Sequence, residues 1–161
     1  MFSFLSQFKE KLGIGGEYVP GSTPEKNYNG CISLGVLMWV VAEADRKFLS
    51  SEKEAMEAFL AEKCHIPQTD IPVVMKSVEV AASERIDLYS FTKEASEGLD
   101  RPQKIRIVED LFRLACVDLD LAHEEHEIIR KIADLFHLDH EEFIAAKIKV
   151  KKEFGLETID E

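Results

Sequence analysis

Two pairs of carboxylates are the residues in this chain whose types and spacing suggest chemistry. Asp45 precedes Glu52, and Asp118 precedes Glu125, with six residues inside each pair. Each Glu falls in the first turn of a predicted helix, where the macrodipole favours negative charge. Each Asp falls near the C-terminus of the preceding helix, where the same dipole disfavours it. An Asp so placed needs a partner: the amides of the following turn, a Lys or Arg, or a cation. Two carboxylates about 5 Å apart repel by roughly 3 kcal/mol at an effective dielectric near 20. A hard divalent ion with oxygen ligands removes that cost. Asp45, Glu52, Asp118 and Glu125 are therefore candidate metal ligands, and Asp120 and Glu124 offer further oxygens to the second pair. Ca2+ or Mg2+ suits such a set better than Zn2+. The second turn is expected to bind better, because Arg46 and Lys47 place positive charge beside Asp45. The alternative, with each Asp bound to turn amides and no ion, stands beside this reading.

Other reactive types offer less. His123-Glu-Glu-His126 is neither the H-E-x-x-H of zinc proteases nor the Glu-x-x-His of di-iron bundles. It reads as a solvated pair, and a metal-dependent enzyme built on it is the third-ranked hypothesis. His65 and His137 read as helix-end residues, where a cation suits the dipole, and His140 as exposed. Gly13-Ile-Gly15-Gly16 lacks the preceding strand and the Lys-Ser/Thr pair of a phosphate loop. No nucleophile is credible, and no organic cofactor is expected. Cys31, Cys64 and Cys116 are odd in number with no C-x-x-C, so they read as reduced thiols of a cytoplasmic protein, with Cys116 in the core. The Lys147-x-Lys149-x-Lys151-Lys152 run reads as a solvated helix end, and Trp39 as core.

The elements that hold these residues are helical. A chain of 161 residues predicts one domain. Its 20 Lys+Arg against 31 Asp+Glu, a formal charge of −11, argue against nucleic acid and against an anionic membrane surface. The longest apolar run, from Cys31 to Ala42, is too short to span a bilayer, and Met1 to Phe8 has no basic region or cleavage site of a signal peptide. Residues 1–24 read as an amphipathic helix with Phe4, Phe8 and Leu12 on one stripe, followed by a Gly/Pro-rich linker. That helix packs on its own domain or docks a partner protein, including a membrane-bound complex.

Residues 25–161 read as a single all-α domain of about seven helices. Asn29 to about Asp45 is apolar nearly all round, as a central helix should be. Ser50 or Ser51 can cap a second helix, with Ser51 and Glu54 making a capping box, and that helix runs to about Cys64. Asp70 with Pro72 opens a third helix, and Asp87 a fourth that stops at Gly98. Asp100, Pro102 and Gln103 begin a fifth, to about Val117. Glu124 to Phe136 is the sixth, and Asp139 with Glu142 boxes a seventh that ends near Gly155.

The chain also repeats itself. An offset of 73 residues lays Leu37-x4-Ala42-x2-Asp45-x6-Glu52-x-Glu54 on Asp110-x4-Ala115-x2-Asp118-x6-Glu125-x-Glu127. An offset of 72 lays Ala61-Glu62-x2-His65-Ile66 on Ala133-Asp134-x2-His137-Leu138. Two helix–turn–helix units with one buried pattern imply a pseudo-twofold bundle, since neither can bury its stripe alone.

A helix ending Ala-x2-Asp, a six-residue spacer and a Glu opening the next helix, all duplicated, resembles the TerB-like tellurite-resistance family. The similarity spans roughly Ile32 to Lys149, and Asp45/Glu52 and Asp118/Glu125 match the family's motif. The resemblance implies an all-helical fold, a strongly acidic surface, divalent-cation binding at that motif, and a link to tellurite resistance and stress response, without established catalysis. Where the family usually has Gly after the Asp, this chain has Arg46 and Leu119. Either the turn differs, or a side chain sits in a left-handed conformation at about 1 kcal/mol of strain. The expected function is thus an acidic module that binds divalent cations, partner proteins or both. The alternative is a structural adaptor with no metal site.

Overall fold

The run with fewest polar side chains becomes the axis of the molecule. In the computed structural model, which describes residues 29–44, 50–84 and 87–156, Asn29–Glu43 forms helix α1. Around it come α2 (Ser50–Cys64), α3 (Ile71–Ser83), α4 (Tyr89–Ser96), α5 (Arg101–Ala115), α6 (His123–Leu135) and α7 (His140–Glu153). These seven helices are the only regular elements among the described residues. Helix α1 touches α2, α3, α4, α5 and α6, and α7 packs on α5. Val36, Leu37, Met38, Val41 and Ala42 are sealed from solvent as a result, while Trp39 is half-buried against the core. The predicted N-terminal helix and its linker lie outside the described residues, as do Asp45, Arg46 and Lys47.

One glycine sets how closely the helices approach. A Cβ on Gly35 would sit 2.5 Å from Val78 Cγ2 on α3 and 3.3 Å from Leu60 Cδ1 on α2. Any side chain there would push three helices apart.

Helix starts follow their local chemistry. The Asp100 carboxylate accepts the Gln103 amide and the Gln103 side chain accepts the Asp100 amide, both at 2.9 Å. The Asp139 amide donates to Glu142 at 2.7 Å, and Asp87 accepts the Tyr89 amide at 2.9 Å. Helix α2 begins at Ser50, one residue before the cap of the box expected between Ser51 and Glu54. Ser51 therefore lies inside the helix, and Glu52 is the buried acid of its first turn.

Helix stops share a geometry. His65 (φ +54°), His137 (φ +62°) and Gly155 (φ +70°) are left-handed. The next amide in each case reaches back five residues: Ile66 to Ala61 at 3.2 Å, Leu138 to Ala133 at 3.1 Å, Leu156 to Lys151 at 2.7 Å. These are Schellman stops, and buried Ile66 and Leu138 supply the apolar contact that accompanies them. The two His equated by the 72-residue offset therefore occupy the same kind of stop.

Two sequence expectations need correction. Cys31 and Cys64 are not free thiols; they form a disulfide with Cα atoms 6.2 Å apart. The cause is the α1–α2 hairpin, which folds the start of α1 back against the end of α2 and brings two distant cysteines within bridging range. Lys147 is likewise not part of a solvated end; it is buried on the inner face of α7 beside Ala146 and Val150.

Candidate functional site: the second acidic turn and the groove beside it

Helix α5 ends at Ala115, and the chain turns tightly before α6. Cys116 donates to the Phe112 carbonyl at 2.9 Å, and Leu119 donates to the Cys116 carbonyl at 2.8 Å. The second bond places Leu119 in the left-handed region, at φ +65°. Of the two outcomes that a missing Gly allowed, the leucine takes the left-handed conformation and carries its strain. Its side chain is 63% exposed, the most exposed large apolar residue described.

The carboxylates of this turn divide into two kinds. Glu125 is 3% exposed and accepts the Ala122 amide at 3.1 Å, so it caps α6 from within. Asp118 accepts the Asp120 amide at 3.3 Å, which gives this Asp the amide partner its unfavourable position required. Asp118, Asp120 and Glu124 face solvent. Among the described residues, no group of three or more His, Cys, Asp and Glu side chains is arranged to hold a metal ion. In the first turn Glu52 is buried at the start of α2, and its partner Asp45 lies outside the described residues.

Cys116 sits beneath the turn, fully buried. Burial pushes its thiol up to about 11; Lys151 opposes the shift, while Glu125, Asp118 and Asp120 add to it. A thiol so placed is inert.

The histidine pair splits. His123 is exposed, whereas the His126 ring wedges between Phe143 at 5.3 Å and Phe112 at 6.4 Å. His126 Nδ1 lies 3.1 Å from Glu127, which also binds Arg130. Arg130 first, then His126, holds the Glu127 carboxyl below its usual range. The solvated pair read from sequence is thus one solvated and one packed ring.

Beside the turn runs an open groove of about 780 Å³ between the C-terminal end of α1 and the face of α6. Val40 and Ile128 give it an apolar floor; Glu43, Glu124, Glu127 and Asp134 outnumber Arg130 and Lys131 on its rim.

A second polar cluster escaped the sequence reading. Asp110, 4% exposed, is held by Arg113 at 2.7 Å and by Lys63 at 3.2 Å. Arg113 forks onto Glu153 at 3.1 and 3.2 Å, and Lys149 reaches Glu109 at 3.3 Å. The cluster clamps α2, α5 and α7 together. Its one local signal is Glu109-Asp110 with Arg113 three and four residues on, the spacing of neighbours on a helix face.

A family model described as Tellurite resistance protein TerB matches residues 32–148. Comparison with curated proteins and with solved structures finds no match.

Proposed function

The chain belongs to the TerB tellurite-resistance family, and from that premise we propose that it is a non-catalytic docking module whose second acidic turn and adjoining groove receive a basic partner protein. The carrying observation is Leu119, an apolar side chain held 63% exposed in a strained left-handed backbone. Strain that persists at an exposed position points to use. Exposed acids surround the leucine in sequence: Asp118, Asp120 and Glu124. An apolar anchor inside a negative rim matches a partner segment carrying Lys or Arg around one apolar side chain, with the groove as its continuation. The commitment of Glu125 and Asp118 to backbone amides supports a structural role for the matched motif in this turn.

The test is calorimetric titration of the full chain with a short amphipathic Leu/Lys peptide, with a Leu/Glu peptide as control. Salt-sensitive binding of the basic peptide alone, weakened at least tenfold by Leu119→Asn, is expected. Equal binding by the Leu119→Asn chain would remove the turn from the site.

The second reading keeps a cation. Its support is the closeness in sequence of three exposed carboxylates, Asp118, Asp120 and Glu124, with buried Glu125 next to the last. Ca2+ or Mg2+ would then raise the melting temperature, since a ligand bound only by the native state stabilises it, by about 2.7 kcal/mol at a hundredfold excess over Kd. Asp118→Asn would abolish the shift. An unchanged melt in millimolar Ca2+ and Mg2+ would leave docking alone. Stress response is the cellular setting we assign to either reading.

A further inference from the structure

The Cys31–Cys64 bridge lies away from the acidic turn and its groove. Cys31 is the third residue of α1, and Cys64 is the last residue of α2, immediately before the left-handed stop at His65. The bridge therefore closes the open end of the α1–α2 hairpin, opposite its connecting turn. The offsets that equate the two helical units place Lys104 and Phe136 at the corresponding positions, so only the first unit carries a bridge.

We infer that Cys31 and Cys64 form a reversible thiol–disulfide site that exchanges with low-molecular-weight disulfides and dithiols. Three observations carry it. Both cysteines are half-buried at the edge of the core, not enclosed within it. Cys31 lies in the first turn of α1, whose amides have no intrahelical acceptors, and a Cβ on the preceding Gly30 would meet nothing within 4 Å. Fraying of that turn exposes the bridge without opening the core. Finally, the third cysteine cannot compete: Cys116 is fully enclosed at the end of α5. The exchange is thus confined to one pair.

The chemistry balances with glutathione disulfide as the oxidant. One thiolate of the pair attacks a sulfur of glutathione disulfide, forming a mixed disulfide and releasing one glutathione thiolate. The second thiolate attacks the protein sulfur, closing Cys31–Cys64 and releasing the second glutathione. Two electrons pass to the oxidant, and the two protein protons end on the two glutathione thiols. A dithiol reverses both steps. Oxidation pins the start of α1 to the end of α2, and reduction frees two helix ends without touching the core interior. In a reducing compartment such a pair would respond to oxidant load.

The test equilibrates the full chain, natively folded, in buffers of varied glutathione to glutathione-disulfide ratio. Each sample is acid-quenched, denatured and alkylated, and its free thiols are counted by intact mass. The expected result is a change from three free thiols to one, with Cys31 and Cys64 lost together and Cys116 alkylated throughout. The oxidised chain should melt several degrees above the reduced chain. Cys31→Ser with Cys64→Ser should melt like the reduced chain in every buffer. Three thiols in every buffer, one thiol in every buffer, or loss of Cys116 would overturn the inference. So would an equal buffer-dependent shift of the double variant. The thiol count needs no variant, so a poorly folding Ser pair leaves it standing.

Discussion

Leu119 shows how one backbone angle ties stability to use. At φ +65° its Cβ crowds the neighbouring carbonyl, which costs an L residue roughly 1–2 kcal/mol. Glycine avoids that cost but gives back part of it through a more disordered unfolded chain. Leu119→Gly should therefore raise the unfolding free energy by about 0.5–1 kcal/mol, measured by urea denaturation, while weakening the basic peptide. A destabilised Leu119→Gly chain would show that the leucine is held for packing. The position was legible in the sequence, because a leucine stood where the motif wants glycine. The exposure of its side chain was not, since that depends on where α6 departs. The same contrast holds for the cysteines. Cys116 announced its burial through its apolar neighbours. Cys31 and Cys64 gave no sign of each other, because their proximity comes from hairpin pairing and not from spacing.

At the scale of elements, the boundaries were the most readable feature. Asp100 with Gln103, and Asp139 with Glu142, are local devices that need no tertiary partner to be recognised. Contacts between helices were less readable. Arg101 opens α5 and binds the Glu142 carboxylate of α7 at 2.6 Å, a link across 41 residues. That bond first, then the Asp139 amide, lowers the Glu142 pKa below its ordinary 4.5. A carboxyl with a depressed folded pKa stabilises above the unfolded value and loses that stabilisation as pH falls through the folded one. Acidification from 4.5 downward should thus lower the melting temperature of the natural chain more than that of Arg101→Gln. Parallel melting curves against pH for the two proteins would contradict the assignment. Gly35 makes a second helix-level prediction. Gly35→Ala introduces a Cβ against stiff, branched Val78 and should cost about 1–3 kcal/mol by urea denaturation. A neutral result would mean that α3 can slide outward.

Taken as a whole, the molecule is an apolar rod in a helical cage, with negative charge outside. A net charge of −11 was plain from composition, and so was the apolar character of α1. That five helices would cover α1 was not, because coverage depends on topology. The clamp of Lys63 and Arg113 on buried Asp110 was hidden for the same reason: Lys63 of α2 and Asp110 of α5 are 47 residues apart in sequence. Enclosure of α1 has a consequence for time as well as for shape. Its backbone amides between Val36 and Val41 cannot meet water through any local opening of a single neighbour. Their exchange with deuterium should proceed only when the entire fold opens, so their rates read the global unfolding free energy directly. Amides of α4, a short helix with exposed Tyr89 at its start, should exchange by smaller openings and much faster. Any partner or ion that binds the folded chain must then slow the amides between Val36 and Val41 by one common factor. The central helix thus serves as a clock whose rate registers binding anywhere on the surface, wherever the ligand sits.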